Sequence, residues 1–419
     1  MTEKERPLTQ QSLPHNPAPW QRAAAGANLL GADGVSKPTV FEELTALANQ
    51  HGAINLGQGF PDTDGPEHLK EIAAGSIRAG FGDGGLNQYA PGLGLPALRA
   101  AIADHQRRFY GHQLDPDRNV LVTTGATEGI AATILALVSP GERVVTLSPF
   151  YDSYAAMIGL AGAEHATVPL PWPDFVPDDA DLDAAITPGT RLVVLNTPHN
   201  PTGTALSRAT MERIVARAGE VGALILSDEV YEHLVFDGPH LPVASIAGAA
   251  ERTLTLGSAG KTFSLTGWKV GWVTGPAELM TAVRSVKQFL TYSSGGPFQA
   301  AVAAGLRYDE SFFRGQAERL KAGRDVLVAA LRAAGLEVST PAAGYFAIAD
   351  VAPLGFDDAA ALAYRLPVEL GVGAIPVSAF VRPHEAESYK SLLRFAFCKR
   401  EPVLTEAAAR LLRLPELAA

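Results

Sequence analysis

The run Ser258-Ala259-Gly260-Lys261-Thr262-Phe263-Ser264-Leu265-Thr266-Gly267-Trp268-Lys269 sets a lysine among small residues directly after a β-rich segment. A lysine with few neighbours able to keep its charge in water loses its proton readily, and the amine can then attack a carbonyl. Most lysines are solvated surface groups, so Lys261 gains meaning only from its company. In Leu195-Asn196-Thr197-Pro198-His199-Asn200-Pro201-Thr202-Gly203 an apolar run leads into a turn with amides four positions apart, and Leu226-Ser227-Asp228-Glu229-Val230-Tyr231 ends an apolar run on a carboxylate. Ligands collect at the carboxyl ends of strands in open α/β sheets. A carboxylate buried there is costly unless it meets a cation, a metal or a protonated heterocycle. Taken alone, Asp228 would serve equally well as a helix N-cap.

A third strand end, Val122-Thr123-Thr124-Gly125-Ala126-Thr127-Glu128-Gly129, passes through a glycine turn into a helical stretch. Free backbone N–H groups and the helix dipole make such a turn an anion site, although the motif is common and Glu128 suits the dipole by itself. A phosphate cradle, an acid for a protonated ring nitrogen and an amine nucleophile are together what pyridoxal phosphate requires. Competing patterns are weak. His199 and His233 lack metal-ligand spacing with other His or Cys, and neither a G-x-G-x-x-G opening a helix nor a G-x-S-x-G elbow occurs.

The elements that must position these groups follow from periodicity. Short β-rich segments at 120–124, 143–147, 166–170, 192–196, 224–227, 253–256 and 269–274 give seven strands. Helical stretches such as 128–138 and 208–218 lie between the early ones, which is the alternation of a mostly parallel sheet covered on both faces. Beyond Gly275 the chain turns to Ala-, Leu- and Arg-rich helical runs at 312–334 and 403–414, with strand-like pieces at 345–349 and 392–397, which predict a smaller α+β domain and a hinge near 295–310. Pro7, Pro14, Pro17 and Pro19 break the first thirty or so residues, so 1–36 is expected to be a flexible arm, with structure beginning at an amphipathic helix over 37–49. The expected division is 60–300 for the large domain and 37–59 with 301–419 for the small one.

Composition narrows the function classes. With 47% apolar and 19% charged residues over 419 positions, and no run near the roughly 18 apolar residues of a membrane span, the pattern is that of a soluble globular chain. Acidic residues outnumber basic ones 44 to 34, which disfavours nucleic-acid or anionic-membrane partners. The single cysteine, Cys398, lies in an apolar stretch and reads as core, and the charged N-terminus lacks a secretory segment, so a cytoplasmic setting is expected.

With Asn55-Leu56-Gly57-Gln58-Gly59-Phe60-Pro61-Asp62 and Asn87-Gln88-Tyr89 added to the three strand ends, the sequence resembles the fold-type I pyridoxal-phosphate aminotransferases of classes I and II from about Lys37 onward. The resemblance implies an α/β fold with a seven-stranded mostly parallel sheet and a homodimer acting on small-molecule amino acids and 2-oxo acids. It implies that Lys261 anchors the cofactor and moves the substrate proton, that Asp228 pairs with the ring nitrogen, that Tyr231 and Asn200 bond the ring's phenolic oxygen, and that Tyr151 stacks on the ring. Gly125, Ala126, Thr127, Ser258 and Lys269 would hold the phosphate, joined by Tyr89 from the neighbouring subunit. Arg394, with Gly59 and Asn200 beside it, would grip the substrate α-carboxylate. Lys269 stands where many relatives have arginine, and Tyr151 where the kynurenine enzymes tend to have phenylalanine. Arg284 and Arg382 are the candidates for a second substrate arginine. The finer likeness, in Pro149-Phe150-Tyr151-Asp152-Ser153-Tyr154 and the stretch after Asp228, is to enzymes acting on N-succinyldiaminopimelate, then to methionine, glutamine, kynurenine and aromatic aminotransferases. A cysteine-conjugate β-lyase on the same framework, or a cofactor-sensing regulator, are the remaining alternatives; the latter would need a DNA-binding domain in the first 36 residues, and no helix-turn-helix pattern is present there.

Overall fold

A computed structural model describes residues 17–418 of the chain. A short strand β1 (Ile54–Asn55) precedes the main sheet, which is built from β2 (Val120–Thr124), β3 (Arg143–Ser148), β4 (Glu164–Pro169), β5 (Thr190–Asn196), β6 (Leu224–Asp228), β7 (Thr253–Ser258) and β8 (Val270–Thr274). Their order is β2-β8-β7-β6-β5-β3-β4, and only β8 runs against its neighbours. The seven strands expected from the sequence are all present, with small shifts at their ends.

Why these runs are continuously apolar is visible in β5. Leu192 and Val194 pack toward the helices Gly125–Leu137 and Asp152–Ala161, while Val193 and Leu195 pack toward the helix Arg208–Val221. A strand covered on both faces cannot alternate apolar with polar, because either polar face would be buried. The carboxyl ends of β5, β6 and β7 therefore come together at one edge of the sheet, each running straight into a turn.

The second sheet contains β9 (Glu337–Ser339), β10 (Phe346–Asp350), β12 (Ile375–Pro376) and β13 (Leu392–Ala396) in the antiparallel order β12-β13-β10-β9, while β11 (Val372–Gly373) pairs parallel with β1. Pairing with β11 is what draws the segment after residue 55 to the small sheet. The helix Glu310–Ala333 is rooted in two cores: Phe313 packs with Phe263 and Trp272 against the large sheet, whereas Leu320, Leu327 and Leu331 pack with Leu393 and Phe395 of the small one. The chain thus changes cores inside a helix, beyond the 295–310 stretch where a hinge was expected.

The expectation of a flexible arm through residue 36 fails for its second half; residues 1–16 lie outside the described part. Pro19–Gly26 is a helix, and Pro19 sits in its first turn, where a missing N–H leaves no bond unmade. Small residues let it dock backbone to backbone on Asp152–Ala161: a Cβ added at Gly26 would lie 2.2 Å from the Ala155 carbonyl oxygen, and one at Gly159 would lie 2.3 Å from that of Arg22. Arg22 adds hydrogen bonds to the carbonyls of Gly159 and Leu160, both at 3.3 Å. The proline spacing that argued against a helix marks its start.

Candidate active site

Asp228 is the last residue of β6, and its side chain is buried. Tyr154 Oη donates to Oδ2 at 2.7 Å, and the backbone N–H of Val230 approaches Oδ1 at 3.3 Å. Burial pushes the carboxyl up to about 6, with the Tyr154 bond pulling the other way. Such a group gains most from a cationic partner, which would restore its charged form. Asn196 Nδ2 donates to the Asp228 carbonyl at 2.9 Å and Asn196 Oδ1 accepts from the Asn200 N–H at 2.7 Å, tying the ends of β5 and β6 to the following turn.

Lys261 lies in the one-turn helix Ala259–Thr262 that follows β7. Its Nζ is 2.7 Å from Tyr345 Oη and 3.5 Å from the Gly59 carbonyl oxygen, and burial lowers the amine to about 8. Gly125 opens the helix Gly125–Leu137 at φ +73°, a conformation that favours glycine. A Cβ at Gly125 would lie 3.2 Å from Lys269 Nζ, so the ammonium stands over the helix N-terminus. Gly271 permits the close approach, since a Cβ there would meet the Ala126 nitrogen at 2.7 Å. Thr127 and Ser258 line the same cavity of about 210 Å³, together with Tyr151, Asn200, Asp228, Tyr231 and Lys261. Backbone N–H groups, two hydroxyls and an ammonium form a donor set for a phosphate, while a buried acid and a partly neutralised amine stand further in. These residues fit pyridoxal phosphate.

A second cavity of about 420 Å³ adjoins the first and shares Tyr151, Asn200, Tyr231 and Lys261 with it. Arg394 reaches it from β13, opposite Ile348 of β10. Its Nη1 donates to Asn200 Oδ1 at 2.9 Å and Nη2 to the Gly57 carbonyl at 2.7 Å, while the buried Nε has no partner. The guanidinium lies 3.9 Å from the Phe346 ring centre and 4.5 Å from that of Phe380, and burial lowers it to about 10. An incompletely bonded cation on an aromatic shelf is suited to a carboxylate. Gly59 also lines this cavity.

The two candidates for a second substrate arginine fall outside. Neither Arg284 nor Arg382 lines the second cavity; Arg284 lies beside Asp117 and Arg118 elsewhere. Tyr89 is 85% exposed, with its ring 5.5 Å from that of Tyr292, and touches neither cavity of its own chain.

Sequence reasoning passed over Tyr154 and Tyr345. Tyr154 lies three positions after Tyr151 on one helix turn, a spacing that could have flagged it. Tyr345 follows a glycine before a short strand, and no local pattern marks it. Glu128, read as a dipole partner, accepts from the Thr124 N–H at 2.6 Å and from Thr291 Oγ1 at 2.5 Å, bracing the phosphate turn. His233, which had no evident partner in the sequence, packs Nε2 to Nε2 against His105 at 2.7 Å beside Glu232.

Residues 51–411 match the family described as aminotransferase class I and II, and the chain belongs to it. It is a pyridoxal-phosphate-dependent aminotransferase of fold type I. A Mycobacterium tuberculosis protein named as a probable N-succinyldiaminopimelate aminotransferase is 47% identical over 392 residues, covering 90% of this chain and 96% of that one. The Escherichia coli methionine aminotransferase is 40% identical over 380 residues, with the same coverage of each chain. Among solved structures, the N-succinyldiaminopimelate aminotransferase of M. tuberculosis superposes with a TM-score of 0.86 at 48% identity, covering 90% of this chain and 97% of that one.

Proposed function

We propose that the enzyme takes the free amino group of N-succinyl-LL-2,6-diaminopimelate and passes it to 2-oxoglutarate. The observation that carries the substrate is the 47% identity, along 90% of the chain, to the M. tuberculosis protein whose name specifies that compound. Within this reading Arg394 clamps the α-carboxylate, with Asn200 and Gly59 closing around it. The amine of Lys261 anchors the cofactor and, once displaced, carries a proton away from the substrate Cα. Bound pyridoxal phosphate supplies an electron sink for the pair that proton leaves behind. Asp228 keeps the ring nitrogen protonated, Tyr231 and Asn200 bond the phenolic oxygen, and Tyr151 covers one ring face. Residues 125–127, Ser258 and Lys269 hold the phosphate, so that it serves as a handle distant from the reacting atoms.

The working unit in this reading is a cytoplasmic homodimer in which Tyr89 serves the partner's phosphate. In support, Tyr89 is 85% exposed and edge-on to Tyr292, itself 43% exposed, so the pair offers aromatic surface to a partner. Among the described residues no helix is long and apolar enough to cross a membrane. We divide each subunit into a large domain over 60–300 and a small one over 37–59 and 301–419, with residues 301–313 still packed on the large sheet and the helix Glu310–Ala333 running from one core into the other.

Turnover on a panel of amino donors tests the substrate. The succinylated donor should be fastest with 2-oxoglutarate; a faster rate on methionine or kynurenine overturns the assignment. A specific feature favours that second reading: Phe41, Phe60, Phe346 and Phe380 line the substrate cavity, with Arg394 as its one guanidinium among the described residues.

A further inference from the structure

Tyr345 sits where the two sheets meet and is 1% exposed. Its carbonyl accepts from the Phe397 N–H at 2.8 Å, and the preceding Gly344 N–H donates to Leu234 at 2.8 Å, in the turn that carries Tyr231. The backbone is thus held from both sides. The phenol oxygen stands 2.7 Å from Lys261 Nζ and 2.6 Å from the Gly59 carbonyl oxygen. A phenol has one proton, and a carbonyl can only accept. The Tyr231 hydroxyl also faces this phenol, but the 2.6 Å contact to the Gly59 carbonyl takes the proton, which leaves the lone pairs of the phenol toward Lys261, with the amine as donor. Burial keeps this phenol protonated, well above its ordinary range. Only glycine at 59 allows the approach, since a Cβ there would lie 2.4 Å from Phe346 Cζ and 3.1 Å from Tyr345 Cε2.

We propose that Tyr345 is a positioning residue for the proton transfer: its hydroxyl, fixed by the Gly59 carbonyl, holds the Lys261 amine in place once the amino donor has displaced it. The inference rests on the reading of Lys261 as proton carrier given above. A lysine amine rides on a flexible four-carbon stem, and transfer is fast only from positions within reach of the reacting atom. When Lys261 takes the Cα proton, the C–H electron pair would be left to the electron sink that bound cofactor supplies, and the new ammonium donates to the Tyr345 oxygen until it returns the proton.

Tyr345→Phe in the holoenzyme is the test. The expected result is a fall in kcat of about tenfold or more with donor KM little changed, and a larger isotope effect with α-deuterated donor as proton transfer becomes limiting. A second readout needs no turnover: the pH profile for recapture of pyridoxal phosphate by the cofactor-free protein. Its midpoint should move down by about half a pH unit, because the lost acceptor had favoured the ammonium. Unchanged kcat and isotope effect, or a recapture profile that superimposes on wild type, overturns the proposal. Lys261→Ala run alongside separates the two readings. If that variant still transfers amino groups, the reading of Lys261 falls and Tyr345 falls with it. If it is inactive while Tyr345→Phe behaves as wild type, only the part given to Tyr345 falls.

Discussion

The floor and the wall of the site are built in opposite ways. Every floor group, from residues 125–127 through Asp228 and Ser258 to Lys261 and Lys269, sits within a few residues of a strand end in one sheet. The wall takes Gly59 from the segment after β1, Tyr345 and Phe346 from the residue before β10 and its first, and Arg394 from the middle of β13. A rigid sheet can fix a cofactor by local geometry alone, whereas the wall exists only once the second sheet has packed against the first. The floor is suited to chemistry common to many substrates, and the wall to the choice among them.

That division can be broken by experiment. In the largest expected effect, Asp228→Asn lowers kcat on the order of 10²–10³-fold while donor KM changes little, because a neutral amide no longer favours a protonated ring nitrogen. Steady-state kinetics on a saturated holoenzyme reads this, and a variant that raises KM alone would show that the floor also selects substrate. Next, Arg394→Lys should raise donor KM by about 10–100-fold with a smaller change in kcat, since a point charge replaces a fork worth some 1.5–3 kcal/mol. A purely kcat defect would erase the distinction between floor and wall.

The smallest effect concerns stability in the cofactor-free protein. Asp228 has a folded value of about 6 against an ordinary 3.8, so the folded form holds more protons between those limits. Its contribution is full below 3.8 and is lost as pH rises through about 6. Melting temperatures across this window should therefore fall more steeply for wild type than for Asp228→Asn. Loading with cofactor should remove the difference, because a cationic partner restores the carboxylate.

The same contrast governs what the sequence could disclose. Asp228 follows the apolar run 223–226 after a single serine, and Lys261 follows a β-rich segment and a run of small residues, so burial, strand and function coincide in a few letters. Tyr345 has no such signature: it reaches Lys261 from 84 positions away, through the pairing of β10 with β13 and the glycine at 59. Tyr154 was hidden for another reason, since an aromatic on a helix packed against a sheet is ordinary core until its hydroxyl is seen to face a carboxylate. The helix Pro19–Gly26 was misread because proline at a first helical position and proline in a coil share one letter, and only the docking on Asp152–Ala161 separates them.

The helix Glu310–Ala333 has one end among the residues under the large sheet and the other among those of the small sheet. Phe313 and Leu331 are about 27 Å apart along such a rod at 1.5 Å per residue. A tilt of about 5° around the Phe313 end would therefore carry Leu331 by roughly 2 Å, more than the margin of under about 1 Å between a made and a broken hydrogen bond. Repacking around Phe313 would thus be felt in the small sheet, where Leu331 packs against Leu393, the neighbour of Arg394 in the chain.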